Sequence, residues 1–438
     1  MPLHASRDYS AVDGIDYHEI PLTYPQFLRQ YLEPNLPVLL GPALTQHWKA
    51  RQQWVCAETG KPNFNILRQH LCPTTTSVQV PVADCQCRDF TDQRRSTMDL
   101  RAFLDEWEAN SLANAPSRTY LKDLHFVQTF PEYGAYETPD IFRDDWMNEF
   151  WTRRSDMDDD YRFVYCGGDG TFTPFHADVY RSYSWSANIC GTKIWTLFPP
   201  DQEHLFRDSL NNTVYDIHNV DPIQFPHFHR AKQFTVLQQP GQTLFVPSGW
   251  WHQVQNVGDT ISINHNWCNG SNLDLLLDSI CADLKDVERE IDHLKDMMEE
   301  SEWIETCQKL LLLNSGWDWS TVWLMCTTIR SRVRRQQQQH ETTSLPQADG
   351  PINGSDNSTQ DHPIEAEAES FSTFIQDDKV VPRRTPIFDP PLVSQQPPLD
   401  LTISRVDAVL DFIRNDTSAR WFLENVKGIS LRVEGING

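Results

Sequence analysis

Positive charge is what this sequence has least of. Against 61 Asp and Glu it sets 37 Lys and Arg in 438 residues, a formal charge of -24. Phosphate-backbone binding runs on clustered Lys and Arg, so this balance argues against nucleic acid as a partner and favours a basic one. Long apolar runs are missing as well. No stretch approaches the roughly 18 unbroken apolar residues that a membrane-spanning helix needs, so no membrane partner is expected. The opening residues MPLHASRDYSAVDG lack the basic-then-apolar layout of a signal peptide. The ten Cys are scattered, and the one close pair, Cys85-Gln86-Cys87, has no second pair nearby to complete a zinc site. Without a signal they read as reduced intracellular thiols, and the expected location is cytoplasmic, with the nucleus also open. No internal repeat is visible.

What is present is a globular chain: 39% of residues are hydrophobic, 11% are aromatic, and fifteen are Trp. Its length leaves room for two or three units. Residues 1–135 mix helices and short strands. Tyr24, Phe27, Leu28 and Tyr31 share a helical face, Pro37 to Leu40 reads as a buried strand, and Tyr120 to Leu124 as another. Leu100, Phe103, Leu104 and Trp107 form a second helical face, opened by a capping-box-like Ser96-Thr97-Met98-Asp99. Over 136–270 the pattern becomes β, with strands expected at Arg162–Tyr165, Ser182–Cys190, Thr192–Phe198, Phe234–Leu237, Thr243–Val246 and Thr260–Trp267, punctuated by Gly and Pro. Many short strands with turn signals point to a sandwich, jelly roll or barrel. Residues 271–335 return to helical spacing, 336–400 read as a disordered linker, and 401–438 carry one more amphipathic helix (Ile403, Val406, Leu410, Ile413) expected to dock on the helical region.

Chemistry concentrates in the β region. Thr173-Pro174-Phe175-His176-Ala177-Asp178 contains the only His-x-Asp or His-x-Glu of the chain. Residues i and i+2 of an extended strand share a face, so His176 and Asp178 can converge. A further His follows an apolar strand in Pro247-Ser248-Gly249-Trp250-Trp251-His252. Two imidazoles and one carboxylate on one face make the facial triad of non-haem Fe(II) oxygenases, which leaves positions open for a bidentate 2-oxo acid and O2. Taken singly, either His is as well explained as a satisfied core residue. Lys193 lies in the half-buried strand Ile189-Cys190-Gly191-Thr192-Lys193-Ile194-Trp195, where an ammonium is costly unless it meets an anion such as a ligand carboxylate. Tyr120 and Thr173 can add hydroxyl donors to the same carboxylate. His227-Phe228-His229 lies in a Pro-flanked polar stretch and reads as loop. A zinc hydrolase would leave Lys193 without a purpose. Trp185, Trp195, Trp250 and Trp251 are placed to make dry walls, or ordinary barrel core.

The segments HADVYRSYSWSANICGTKIWTLFPP and FVPSGWWHQVQNVGDTISINHNW resemble the JmjC class of 2-oxoglutarate oxygenases, and their detail its JmjC domain-containing protein 4 branch. TYLKDLHF and the flanking helices extend the match over roughly residues 20–335. The resemblance implies a mainly β double-stranded β-helix, a cupin-like jelly roll, with N-terminal α/β elements and C-terminal helices. It implies Fe(II) on His176, Asp178 and His252, and 2-oxoglutarate chelating that iron with its far carboxylate on Lys193, Tyr120 and Thr173. Asn264 matches a further co-substrate position. Ser186 stands where many members carry Asn, and Asn188, expected on the same strand face, is the substitute.

The implied reaction consumes O2 and 2-oxoglutarate, releases succinate and CO2, and hydroxylates a substrate C–H bond. The branch implies a protein substrate, a lysyl carbon of the translation termination (release) factor. A lysine demethylase, another JmjC oxygenase and a non-catalytic cupin-like binding protein are the alternatives. The absence of a basic stripe or a Cys/His reader module argues against a chromatin substrate.

Overall fold

The computed structural model describes residues 9–154, 159–344 and 399–431. Among these, the strands are β1 (Asp16–His18), β2 (Val38–Leu40), β3 (Gln79–Asp89), β4 (Asp92–Asp99), β5 (Thr119–His125), β6 (Arg162–Gly167), β7 (Phe172–His176), β8 (Tyr183–Phe198), β9 (Phe234–Gln238), β10 (Thr243–Val246) and β11 (Trp251–Trp267). They join one hydrogen-bonded network in the order β1-β2-β10-β8-β11-β6-β5-β3-β4, with β7 added to β11 and β9 to β8.

β8 and β11 are the spine. They run antiparallel from Trp251 opposite Phe198 to Trp267 opposite Tyr183. Each half of the spine recruits different neighbours. β10 pairs with β8 along Ser184–Ala187 and β6 with β11 along Thr260–His265, whereas β9 pairs along Lys193–Leu197 and β7 near His252–Gln255. One long antiparallel strand pair thus feeds two sheets that enclose a common interior, which is the double-stranded β-helix. The ladder shifts register between Val257 and Ile261, and Gly191 opposite this shift takes φ +69. A Cβ at Gly191 would run into the Asp259 carbonyl and Thr260 Oγ1, so only glycine fits where the spine bends.

The bend switches which residues face inward. Before it, Tyr183, Trp185, Ala187 and Ile189 pack outward into the largest apolar cluster with Phe142, Phe245 and Trp267, leaving Ser184, Ser186 and Asn188 inside. After it, Trp195 and Leu197 join Leu244, Val246 and Val254 in the interior. Outside, Trp185 stacks on Phe142 with centroids 5.4 Å apart, and such pairs add about 0.5–1.5 kcal/mol beyond area burial.

Helices cover one end of the barrel. Leu273–Glu290, Glu300–Ser315, Trp319–Ser344 and Leu399–Asn415 bury a separate cluster that includes Leu276, Ile280, Leu311, Trp317, Ile329, Val406 and Leu410. The last amphipathic helix docks there as its spacing predicts, with an Arg330–Asp407 ion pair at 2.5 Å. No helix of the described residues is long and apolar enough to cross a membrane.

Several expectations are corrected. Ser182–Cys190 and Thr192–Phe198 are one bent strand, because the β11 ladder continues past Gly191. Ser96 to Asp99 end β4 and form no capping box; Asp99 alone caps the helix Leu100–Leu112, accepting from the Ala102 amide at 3.1 Å. Gln336 to Ser344 continue the helix Trp319–Ser344, so this part of the expected linker is ordered; residues 345–398 of it lie outside the described residues. Gly191→Ala is expected to lower stability by on the order of 3 kcal/mol, combining left-handed strain with a backbone clash. Gly258→Ala has φ +73 but open space within 4 Å and should cost only about 1 kcal/mol. Denaturant midpoints compare the two.

Candidate metal centre

The register of three strands assembles the site. His252 lies directly opposite His176 on β7 and opposite Leu197 on β8. The two imidazole centroids are 4.3 Å apart. Asp178 follows β7 at the start of a tight turn. Ligand atoms of His176, Asp178 and His252 all lie within 4.8 Å of one another.

Hydrogen bonds fix the donor atoms. His176 Nδ1 is 2.8 Å from the Pro174 carbonyl, and His252 Nδ1 is 3.0 Å from the Trp250 carbonyl. A carbonyl only accepts, so each Nδ1 carries the proton and each Nε2 presents a lone pair. Burial, with His252 beside it, pushes the His176 imidazole down to about 4, which keeps it unprotonated as a metal ligand must be. Both Asp178 oxygens are held: Ser184 Oγ donates to Oδ2 at 2.7 Å, and Asn266 Nδ2 donates to Oδ1 at 2.9 Å. The donor set therefore fits a divalent iron with one face left free for exogenous ligands.

The interior beyond the triad is arranged for an anion. Lys193 is 2% exposed, and its Nζ lies 3.5 Å from Tyr120 Oη and 5.8 Å from the Tyr165 ring centroid. Among the described residues no carboxylate stands against it, and burial pushes the ammonium down to about 7. Keeping it charged here costs on the order of 5 kcal/mol, which a bound carboxylate can offset. Burial also drives the Tyr120 phenol up, so Tyr120 remains a neutral donor. Thr173 reaches the same face through a bulge. Val254 pairs with Thr173 and His252 with His176, two residues on β11 against three on β7, so Thr173 and His176 face the same way despite their odd spacing.

The remaining sequence candidates divide. Ser186 Oγ donates to Asn264 Oδ1 at 3.1 Å, which leaves the Asn264 amide nitrogen for an occupant. Asn188 spends its amide on the Gly191 carbonyl at 2.8 Å and the Gln238 carbonyl at 3.4 Å, so it braces the bend; its buried Oδ1 has no partner. Of the four tryptophans, Trp195 stands beside His252 at 5.4 Å, and Trp185 faces the outer cluster. Trp250 packs with Trp195 and Val254, and Trp251 lies against Phe175 at 5.2 Å on the other side. His227 and His229 sit at the surface loop expected of them. Sequence reasoning missed Ser184 as an Asp178 partner. Its parity with Ser186 on one strand was the available signal. Titration with Co(II), followed by its visible bands, should show metal binding abolished in His176→Ala and weakened roughly 10- to 100-fold in Asn266→Ala.

Comparison with known proteins places this geometry. The family model described as a cupin-like domain matches residues 24–272. A Danio rerio protein named 2-oxoglutarate and iron-dependent oxygenase JMJD4 is 41% identical over 330 residues, covering 73% of this chain and 75% of that protein. Its Homo sapiens counterpart is 40% identical over 303 residues, covering 67% and 70%. An Arabidopsis thaliana protein named arginine-specific demethylase JMJ20 is 44% identical over 310 residues, and the match spans 67% of this chain but only 65% of that protein's length. On these matches the chain belongs to the cupin-like JmjC family of 2-oxoglutarate and iron-dependent oxygenases.

Proposed function

We propose that this oxygenase hydroxylates a side-chain carbon of a lysine in a protein, and that the translation termination (release) factor is that protein. The observation that carries the reaction class is the pairing of a triad open on one face with a buried Lys193 that meets no carboxylate among the described residues. When bound, iron, O2 and 2-oxoglutarate supply the oxidative decarboxylation that inserts oxygen into a C–H bond. The chain supplies position and dryness. Lys193, Tyr120, Thr173 and Asn264 would hold the co-substrate, with the distal carboxylate on the ammonium. Trp195, Leu197, Leu244 and Val254 keep bulk water from the interior. Ser184 and Asn266 fix the plane of the Asp178 carboxylate.

The choice of a basic side chain is supported by the charge of -24, which attracts a cationic segment at long range. A cytoplasmic site of action belongs to the same proposal. A second reading, demethylation, has the name of the Arabidopsis relative in its favour. The two differ in which carbon is presented. Hydroxylation of an N-methyl carbon gives a hemiaminal that sheds formaldehyde, whereas a stem carbon not bonded to nitrogen keeps its hydroxyl. Release factor incubated with iron-loaded enzyme and 2-oxoglutarate should gain the mass of one oxygen on a single Lys, located by fragment mass spectrometry. Loss of a methyl from Lys or Arg in a methylated substrate, with no oxygen retained, would replace hydroxylation by demethylation.

A further inference from the structure

The turn that follows Asp178 is held in an unfavourable shape from outside the barrel. Val179 to Ser182 close a four-residue turn, with the Ser182 amide 2.9 Å from the Val179 carbonyl. Both central residues are left-handed, Tyr180 at φ 57 and Arg181 at φ 49, as in the primed turns that favour Gly and Asn. Neither residue relieves the clash between Cβ and backbone in that region, so neighbouring structure must hold the turn. Its consequence for the site is direct. By reversing the chain here, it brings Ser184 onto Asp178 Oδ2 and Ser182 within 3.1 Å of the Asn266 amide that grips Oδ1.

The clamp comes from the helical layer. Tyr180 is 9% exposed, with its ring 5.2 Å from Trp317 and 6.2 Å from Tyr161. Trp317 is fully buried in the connection between the helices Glu300–Ser315 and Trp319–Ser344, and its Nε1 donates to Tyr161 Oη at 3.0 Å. The Tyr180 and Tyr161 hydroxyls also pair. Gly316, at φ +79, ends the first of these helices so close that a Cβ would stand 3.1 Å from Tyr180 Oη. Tyr161 also reaches the residue that grips Asp178, because its carbonyl accepts from the backbone N–H of Asn266 at 2.9 Å.

We infer that Trp317 is a positioning residue for the metal centre: it holds Tyr180 in the left-handed turn and thereby sets the Asp178 carboxylate. The inference rests on His176, Asp178 and His252 being the metal ligands. A His176→Ala protein that binds Co(II) normally would remove that premise, whatever Trp317 does.

The test measures Co(II) affinity and visible spectrum of the full chain, beside its thermal unfolding. Trp317→Ala should bind Co(II) about 10- to 100-fold more weakly with an altered spectrum, whereas Trp317→Phe, which keeps a ring on Tyr180, should stay within a few-fold of the parent. Trp303→Ala, which opens the same helical cluster away from Tyr180, should lose thermal stability and keep its Co(II) affinity. Arg181→Gly added to Trp317→Ala should restore much of the affinity, because glycine adopts the left-handed turn unaided. Parent-like affinity in Trp317→Ala, an equal loss in Trp303→Ala, or no recovery with Arg181→Gly each overturns the inference. Should Trp317→Ala fail to fold, Arg181→Gly is combined with Trp317→Leu and read in the same way.

Discussion

The antiparallel pairing of β8 with β11 is the interaction on which the rest of this structure depends. It places Lys193 opposite Asn256, Trp195 opposite Val254 and Leu197 opposite His252, so one register sets the separation between the buried lysine and the triad. A slip of one residue would turn that whole row outward. The bend at Gly191 is what lets a single strand pair serve two sheets. It also brings the polar row Ser184, Ser186 and Asn188 into the same interior as the apolar row Trp195 and Leu197. The metal centre lies where the two rows meet, with a serine on its carboxylate and an indole beside its histidine.

Lys193 gives that interior its meaning. A buried ammonium that among the described residues meets a phenol and aromatic rings but no carboxylate is destabilising for the empty fold and becomes favourable when a dicarboxylate arrives. Stability is thereby exchanged for selectivity, as a neutral or cationic ligand gains nothing from the same residue. The triad shows a parallel economy. Both imidazoles are oriented by the backbone carbonyl two residues upstream, so their donor atoms are set by local backbone geometry. Asp178, outside a strand, does need them, and draws on β8, β11 and the helical layer.

What was legible in the sequence follows from the range of the physics involved. His176 and Asp178 share a face by two-residue alternation, and His252 follows soon after the apolar strand Thr243–Val246, so the triad could be read locally. Lys193 was legible because an ammonium among Ile, Trp and Leu is anomalous. The strands 162–165, 234–237 and 243–246 and the helical end of the chain were likewise local signals. The hairpin β3–β4 was not, because its residues QVPVADCQCRD and DQRRSTMD are mostly polar or exposed and show no clean alternation. Nor was the fate of Trp185 and Asn188. Trp185 and Trp195 have the same parity, yet the bend between them sends one out and the other in, and Asn188 is consumed in bracing it. Thr173 was named as a candidate, and its place on the same face as His176 depends on a bulge that alternation alone would have denied.

The central claim is that the Lys193 ammonium, held near neutrality in the free site, recognises the far carboxylate of 2-oxoglutarate bound at the triad. Anaerobic titration of Fe(II)-loaded protein with 2-oxoglutarate, followed by the visible charge-transfer absorption of a chelated 2-oxo acid, measures this directly across pH. The free lysine titrates at about 7, and a bound carboxylate raises that value, so binding above pH 7 must take up a proton. The affinity is expected to fall about tenfold for each pH unit above neutrality until the bound-state value is reached, and Lys193→Met should bind weakly without this dependence. Affinity that stays flat from pH 7 to 9, or a Lys193→Met protein that chelates 2-oxoglutarate as tightly as the parent, would contradict the account.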